Sequence, residues 1–207
     1  MTAGKGGGRS GAANRVRIIG GVHRSRMLTF PPREGLRPSP DRVRETLFNW
    51  LGQDLTGLCC LDLFAGSGAL GFEAASRGAR TVVMVERDPQ IAAALRDNAA
   101  RLPAPEAEIV AGDALEFLRR DRRVHDVVFL DPPFATADHP KLLAALDGRL
   151  AVGARVYVES PRMLDLPPGW SLVRRLTAGH VHAHLIRPDD DEKRGVPGDV
   201  RPHHPRP

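Results

Sequence analysis

Leu58-Cys-Cys-Leu-Asp-Leu-Phe-Ala-Gly-Ser-Gly-Ala-Leu-Gly71, followed after a helical stretch by Thr81-Val-Val-Met-Val-Glu86, is the run on which the fold turns. Leu58 to Phe64 is apolar without strict alternation, the pattern of a strand covered on both faces, and is expected to be a central parallel strand. Gly66 and Gly68 come next, where the chain must turn sharply into a helix and expose bare backbone to a ligand. Glu86 closes the following β-branched run at the carboxyl edge of the sheet, where a carboxylate can accept both hydroxyls of a ribose. A nucleoside ligand is therefore expected.

The segment Gly66-Ser67-Gly68-Ala69-Leu70-Gly71 also fits the dinucleotide fingerprint G-x-G-x-x-G, which alone is a weak signal. Asp62 decides between cofactors. A carboxylate at that strand tip repels a pyrophosphate and suits a ligand carrying an ammonium group. S-adenosylmethionine carries an ammonium and a sulfonium and no phosphate, so charge favours the methyl donor over NAD.

Outward from this run, strands and helices alternate. A helix is expected from Ala69 to Arg77, another from Pro89 to about Arg101, a strand and tip over Glu108 to Asp113, and a helix over Ala114 to Arg119. Asp126 to Leu130 reads as a strand, His139 to Leu150 as a helix and Ala154 to Glu159 as a strand. Trp170 to Leu176 and Val181 to Ile186 read as an antiparallel edge hairpin turning near Gly179. This rhythm specifies a doubly wound, mainly parallel α/β sheet. Asp113 can either accept from an adenine amine or cap the helix that follows it, and the two roles can coexist.

Asp131-Pro132-Pro133-Phe134 follows directly on the Asp126 strand. Two prolines have fixed φ and no amide hydrogen, so the loop is stiff and presents acceptors without competing donors. The Asp131 carboxylate and Pro132 carbonyl can accept both hydrogens of an exocyclic amine, orient its lone pair at an electrophilic methyl and stabilise the charge that develops on nitrogen. Phe134 offers a face for a base drawn out of its stack; the plainer reading is a strand-breaking Pro-Pro with Phe134 in the core.

The 207 residues, 42% of them hydrophobic, suffice for one sizeable core. With no apolar run near the roughly 20 residues that span a bilayer and no signal-peptide core, a cytoplasmic, non-membrane protein is expected, and a monomer. Adjacent Cys59 and Cys60 point to opposite strand faces and read as core fillers. The net charge of +5 is uneven: residues 1–44 hold ten Lys or Arg against Glu34 and Asp41, a net of +8, leaving −3 for the remainder. That basic end is the candidate phosphate-binding surface.

Residues 1–13 lack the apolar surface to offset ordering and are expected to be disordered, as is the polar tail 188–207. Residues 14–35 read as a basic β-hairpin: Arg15 to Phe30 as two short strands joined by a Gly20-Gly21 turn and studded with Arg15, Arg17, His23, Arg24 and Arg26. Such a ribbon suits phosphate forks and base stacking, but is marginal alone and must pack on the main domain, 36–187, or fold on its ligand. After a proline-rich loop, Ser39 reads as a helix N-cap with Pro40 at the first helical position, the helix running to about Gly52 on an apolar stripe of Val43, Leu47, Trp50 and Leu51. Arg42 and Arg44 fall on its other faces, as solvated residues or substrate contacts.

Taken together, Arg17-Ile-Ile-Gly-Gly21, Arg24-Ser-Arg26, Leu36-Arg-Pro-Ser-Pro-Asp-Arg-Val-Arg-Glu-Thr-Leu-Phe-Asn-Trp-Leu51, Leu61 to Gly71, Asp131 to Phe134 and Tyr157-Val-Glu-Ser160 resemble the RsmD-type methyltransferases, bacterial enzymes that methylate the exocyclic N2 of a guanine in 16S ribosomal RNA. The resemblance spans residues 15 to about 186. It implies a class I methyltransferase fold that binds S-adenosylmethionine through Asp62, Phe64, Ala65, Gly66, Ser67, Gly68, Glu86, Arg87, Asp113, Ala114 and Asp131. Asp131, Pro132, Pro133 and Phe134 would surround the target guanine. Arg15, Arg17, His23, Arg24, Arg26, Arg37 and Arg42 would face RNA, with a small ribosomal subunit particle as the substrate in place of naked RNA. Two departures stand out: Ser25 replaces the glycine of the usual Arg-Gly-Arg, and Ile186 stands where an aromatic is expected. His180, His182 and His184 alternate along one strand, yet methyl transfer from a sulfonium needs no Lewis acid and no metal is expected. An N6-adenine DNA methyltransferase and a non-catalytic RNA-binding assembly factor are the competing readings. So short a chain has no long target-recognition insertion for the former.

Overall fold

The computed structural model describes residues 13–33, 35–36, 38–134 and 137–189. Most of both terminal tails, together with Glu34 and Arg37, lies outside the described residues. In chain order the elements are β1 (Asn14–Arg17), β2 (Met27–Phe30), α1 (Asp41–Trp50), β3 (Cys59–Asp62), α2 (Ala69–Ser76), β4 (Thr81–Glu86), α3 (Pro89–Arg101), β5 (Ala107–Ala111), α4 (Ala114–Arg120), β6 (His125–Leu130), α5 (His139–Ala145), β7 (Leu150–Ser160), β8 (Trp170–Ala178) and β9 (Val181–Pro188). Among the described residues no helix is long and apolar enough to cross a membrane.

The main sheet has the order β5-β4-β3-β6-β7-β9-β8. Its first five strands are parallel, and β9 enters antiparallel between β7 and β8. This is the class I methyltransferase fold, a doubly wound sheet whose strand order reverses at β3. Period-two alternation sorts the core into two layers. Cys60, Met84, Phe129 and Tyr157 meet α1, α2, α3 and the hairpin on one face. Leu61, Val83, Val128 and Val158 meet α4 and α5 on the other.

The hairpin β1-β2 contributes Val16, Ile18, Leu28 and Phe30 to the first layer. Gly20-Gly21 is not its turn. The strands pair over Asn14–Arg17 and Met27–Phe30, Ile18 still bonds across to Ser25 and Arg26, and a longer connection through Gly20 and Gly21 joins them. The glycines are needed because the chain lies against the end of α2, where a Cβ on Gly20 would strike the Arg77 guanidinium and one on Gly21 the Ser76 carbonyl. Glu73, fully buried on α2, accepts from the Ile19 and Gly20 amides, both at 2.7 Å. Ser76 Oγ donates to Gly20 O at 2.5 Å and accepts from the His23 amide at 2.9 Å. From α3, Asn98 accepts from Thr29 N at 3.1 Å and donates to Thr29 O at 3.0 Å.

Three further expectations change. Ser39 does not cap α1, because its hydroxyl is drawn to a buried carboxylate, Glu159, at 2.5 Å, and Pro40 takes the cap position. Arg44 is neither solvated nor free for substrate: it is fully buried, bonded to Asp41 and Ser39 O and facing Glu73 at 3.6 Å. Helix α5 stops at Ala145 and the next strand begins at Leu150, since Gly148, at φ 66°, turns the chain between them.

Candidate active site at the carboxyl edge of the sheet

Four neighbouring parallel strands end in acids. Glu86 ends β4, Asp62 ends β3, Asp131 follows β6 and Glu159 lies one residue from the end of β7. Asp62, Glu86 and Glu159 continue the face that carries Cys60, Met84 and Tyr157. Because Leu130 pairs with Val158, Asp131 comes next in step with Glu159.

Asp62 is 2% exposed, and its Oδ2 accepts from the Gly71 amide at 3.1 Å, taking up a free N–H of the first turn of α2. Its Oδ1 is buried and makes no hydrogen bond of good geometry, the Phe64 amide lying close enough only to draw on its charge. Burial pushes its acidity constant from the usual 3.8 up to about 7, against the lowering effect of the Gly71 and Phe64 amides, and the Glu86 charge adds to the rise. Burial likewise raises Asp131 well above the ordinary carboxylate value, followed by the charges of Glu159 and Asp62. Asp131 keeps some exposed surface, yet protein surrounds the carboxyl closely enough for burial to be the leading cause. Glu159, 3% exposed, is raised by burial in spite of hydrogen bonds from Ser39 and Tyr157.

The glycine loop is built for close approach. Gly66 and Gly68 have φ of 50° and 77°, and a Cβ on Gly68 would run into Leu95 and Phe72. Gly66 N donates to Glu86 Oε2 at 3.0 Å, and Asp88 N donates to Oε1 at 2.7 Å. Each Glu86 oxygen keeps a further lone pair. Ser67 Oγ accepts from the Ala69 amide at 3.3 Å, and the Ala65 amide donates to Val85 O, so both face the local fold. Phe64 packs on the α4 and α5 layer. Arg87 is exposed just beyond β4. Asp113 caps α4, accepting from Glu116 N at 3.0 Å, with Ala114 buried behind it. Bare backbone, an unpartnered buried carboxylate oxygen and a ring of acids fit a cationic nucleoside far better than a pyrophosphate.

Pro132 is buried and Pro133 exposed, while Phe134 is 43% exposed and so outside the core. Beside the glycine loop, where Leu36 reaches Gly66, a groove of about 400 Å³ is lined by Asn14, Arg15, Phe30, Arg33, Leu36 and Pro38. Arg15, Arg24 and Arg42 are exposed without side-chain partners among the described residues. Arg17 pairs with Asp41 at 2.9 Å, and Arg26 donates to Arg101 O at 3.1 Å. His23 is partly buried, held through its amide. Arg37 lies outside the described residues. A smaller cavity of about 190 Å³, near Leu146 and Trp170, opens at the amino end of β7, away from these acids.

Glu159 is the site residue that sequence reasoning passed over. The available signal was an acid near the end of an apolar strand, the same mark that singled out Asp62 and Glu86. The three histidines do not converge: His184 accepts from Leu164 N at 3.3 Å, His182 meets Thr177 at 3.1 Å and His180 precedes the strand. Among the described residues no group of three His, Cys, Asp or Glu could hold a metal ion.

The family model described as Conserved hypothetical protein 95 matches residues 16–187. Ribosomal RNA small subunit methyltransferase D of Escherichia coli strain K12 is 44% identical over 180 residues, covering 84% of this chain and 91% of its own. The protein of that name from Haemophilus influenzae is 42% identical over 184 residues, covering 85% and 95%. The solved structure of yhhF from Escherichia coli superposes with a TM-score of 0.76 at 43% identity, over 84% of this chain and 98% of that one.

Proposed function

Because the chain belongs to the RsmD-type family described as Conserved hypothetical protein 95, we propose that it transfers a methyl group from S-adenosylmethionine to the exocyclic N2 of a guanine in 16S ribosomal RNA, within a small-subunit assembly particle. The observation that carries this reading is the row of acids at adjoining strand tips, with the glycine loop after β3 and the stiff Asp-Pro-Pro loop after β6 side by side at its centre.

When bound, the cofactor supplies an electrophilic methyl on a cationic sulfur. Glu86 has lone pairs left for ribose hydroxyls, and Asp62 Oδ1 has the capacity for an ammonium donor. Asp113 and Ala114 border the adenine side. Asp131 in its ionised form and the Pro132 carbonyl take the two hydrogens of the target amine and hold its lone pair in line with the methyl. Charge appearing on nitrogen during transfer is stabilised by the Asp131 carboxylate, and the methylated amine, then strongly acidic, passes its proton to that carboxylate and on to water. Exposed Phe134 offers a stacking face to the base. Arg15, Arg24 and Arg42 are the free guanidiniums for RNA phosphates.

The test is to map the methyl group by mass spectrometry on small-subunit RNA from cells lacking the protein, together with transfer assays on 16S RNA, small-subunit particles and DNA. Loss of one guanine N2 methyl and transfer to RNA or particles are expected. Transfer to DNA adenine alone, or cofactor binding without transfer to any nucleic acid, would overturn the reading. In the same assay Asp131→Ala should retain cofactor affinity and lose about 10²–10³-fold in kcat, whereas Glu86→Ala should chiefly weaken cofactor binding.

A further inference from the structure

The mechanism above leaves one buried acid of the strand-tip row unused. Glu159 Oε1 accepts two hydrogen bonds, from Ser39 Oγ at 2.5 Å and from Tyr157 OH at 2.7 Å. Tyr157 is fully buried and Ser39 is 8% exposed. Two donors on one oxygen, arriving from β7 itself and from the turn before α1, fix the carboxyl group in place. Strand pairing at Leu130 and Val158 then sets it in step with Asp131 at the adjoining tip. We propose that Glu159 is a positioning residue for methyl transfer, its carboxyl held by Ser39 and Tyr157 beside that of Asp131 so that its charge governs whether Asp131 is in the ionised, accepting form. This rests on the function proposed above.

The charged and titratable groups around this pair come from four neighbouring elements. Asp62 on β3 adds a negative charge near Asp131, and Glu86 on β4 stands behind Asp62. From α5, His139 Nε2 lies 3.0 Å from the Glu159 backbone carbonyl. Arg44 on α1 reaches Ser39 O at 3.2 Å, bonds Asp41 and faces Glu73. Ser39 and Tyr157 favour the charged form of Glu159, while Asp131 is pushed up by burial and by that charge. Glu159 therefore ionises ahead of Asp131 and holds the last proton of the pair on Asp131.

The experiment is the pH dependence of kcat for the full chain with saturating S-adenosylmethionine and whichever RNA form the unmodified protein methylates. Glu159→Gln keeps an acceptor for Ser39 and Tyr157 and removes only the charge. Its acidic limb should move to lower pH by about one unit, so that well below the limb its rate relative to plateau is about ten-fold higher. Tyr157→Phe, which lets Glu159 keep its own proton longer, should move the limb in the same direction but less far, and serves if the glutamine variant fails to fold. Superimposable profiles, or a loss of turnover at every pH with cofactor binding and melting temperature intact, would overturn the proposal. If the unmodified protein methylates no RNA at all, it is the underlying function that falls.

Discussion

Ser25 has φ of 67°, a left-handed conformation costly for any residue with a Cβ. The conformation persists because Ser25 N donates to Ile18 O at 2.9 Å and holds the long connection of the hairpin closed. Ser25→Gly should relieve more strain than the added freedom of the unfolded chain costs, stabilising the protein by about 0.5–1 kcal/mol in denaturant titration. Asp62 gives a second outcome at this scale. Its folded value of about 7 lies above the 3.8 of an exposed aspartate, so the folded state keeps a proton that the unfolded chain releases. The contribution to stability is therefore full below about pH 4 and is lost as pH rises through about 7. Asp62→Asn should remove that slope and be the more stable form at pH 8 by roughly 2–4 kcal/mol. The quantity to read is the difference between the two melting curves, since buried His125 and His184, both lowered by desolvation, act oppositely in the parent and the variant alike.

Among the elements, α2 shows how much local pattern can reveal. Its start was legible from Gly66 and Gly68, and β4 and α3 run over the expected Thr81–Glu86 and Pro89–Arg101, because period and caps act within a few residues. Gly20-Gly21 and Ser39 were misread for a common reason. Both have local roles in other chains, a hairpin turn and a helix cap, but here they answer partners 53 to 120 residues away. Sequence spacing carries no trace of such distant contacts, and the same holds for Arg44, whose burial depends on Glu73. The acids at the strand tips were legible where an acid ended an apolar strand, and Glu159 was passed over although it carries that mark, because its link to Ser39 lies 120 residues away. Glu73 provides the test: Glu73→Ala strands two amides and deprives buried Arg44 and Arg77 of a partner. A loss of about 3–5 kcal/mol is expected, with hydrogen exchange rising first at Ile19 and Gly20 while the amides of β4 stay protected.

For the molecule as a whole, charge is divided between the amino-terminal stretch and the strand tips. Residues 1–44 carry a net of +8, while acids collect at the strand tips. Several of the basic groups are already spent internally: Arg17 on Asp41, Arg33 on Asp88 and Arg44 in the core. Affinity for RNA should therefore fall with salt less steeply than the count of ten suggests. Arg15→Ala and Arg24→Ala should each reduce the slope of log affinity against log salt by about one, whereas Arg17→Ala should change it less. Filter binding across a salt series measures this directly.

Helix α2 is buried along its entire length, with the glycine loop at its first turn and the hairpin anchored on Glu73 and Ser76 near its last. At 1.5 Å per residue it is a strut only about 12 Å long, too short and too tightly packed to flex between its ends. If the hairpin takes the nucleic acid as proposed, ordering at one end of this strut should be felt at the other, and the methyl donor and the nucleic acid should raise each other's affinity by the same factor.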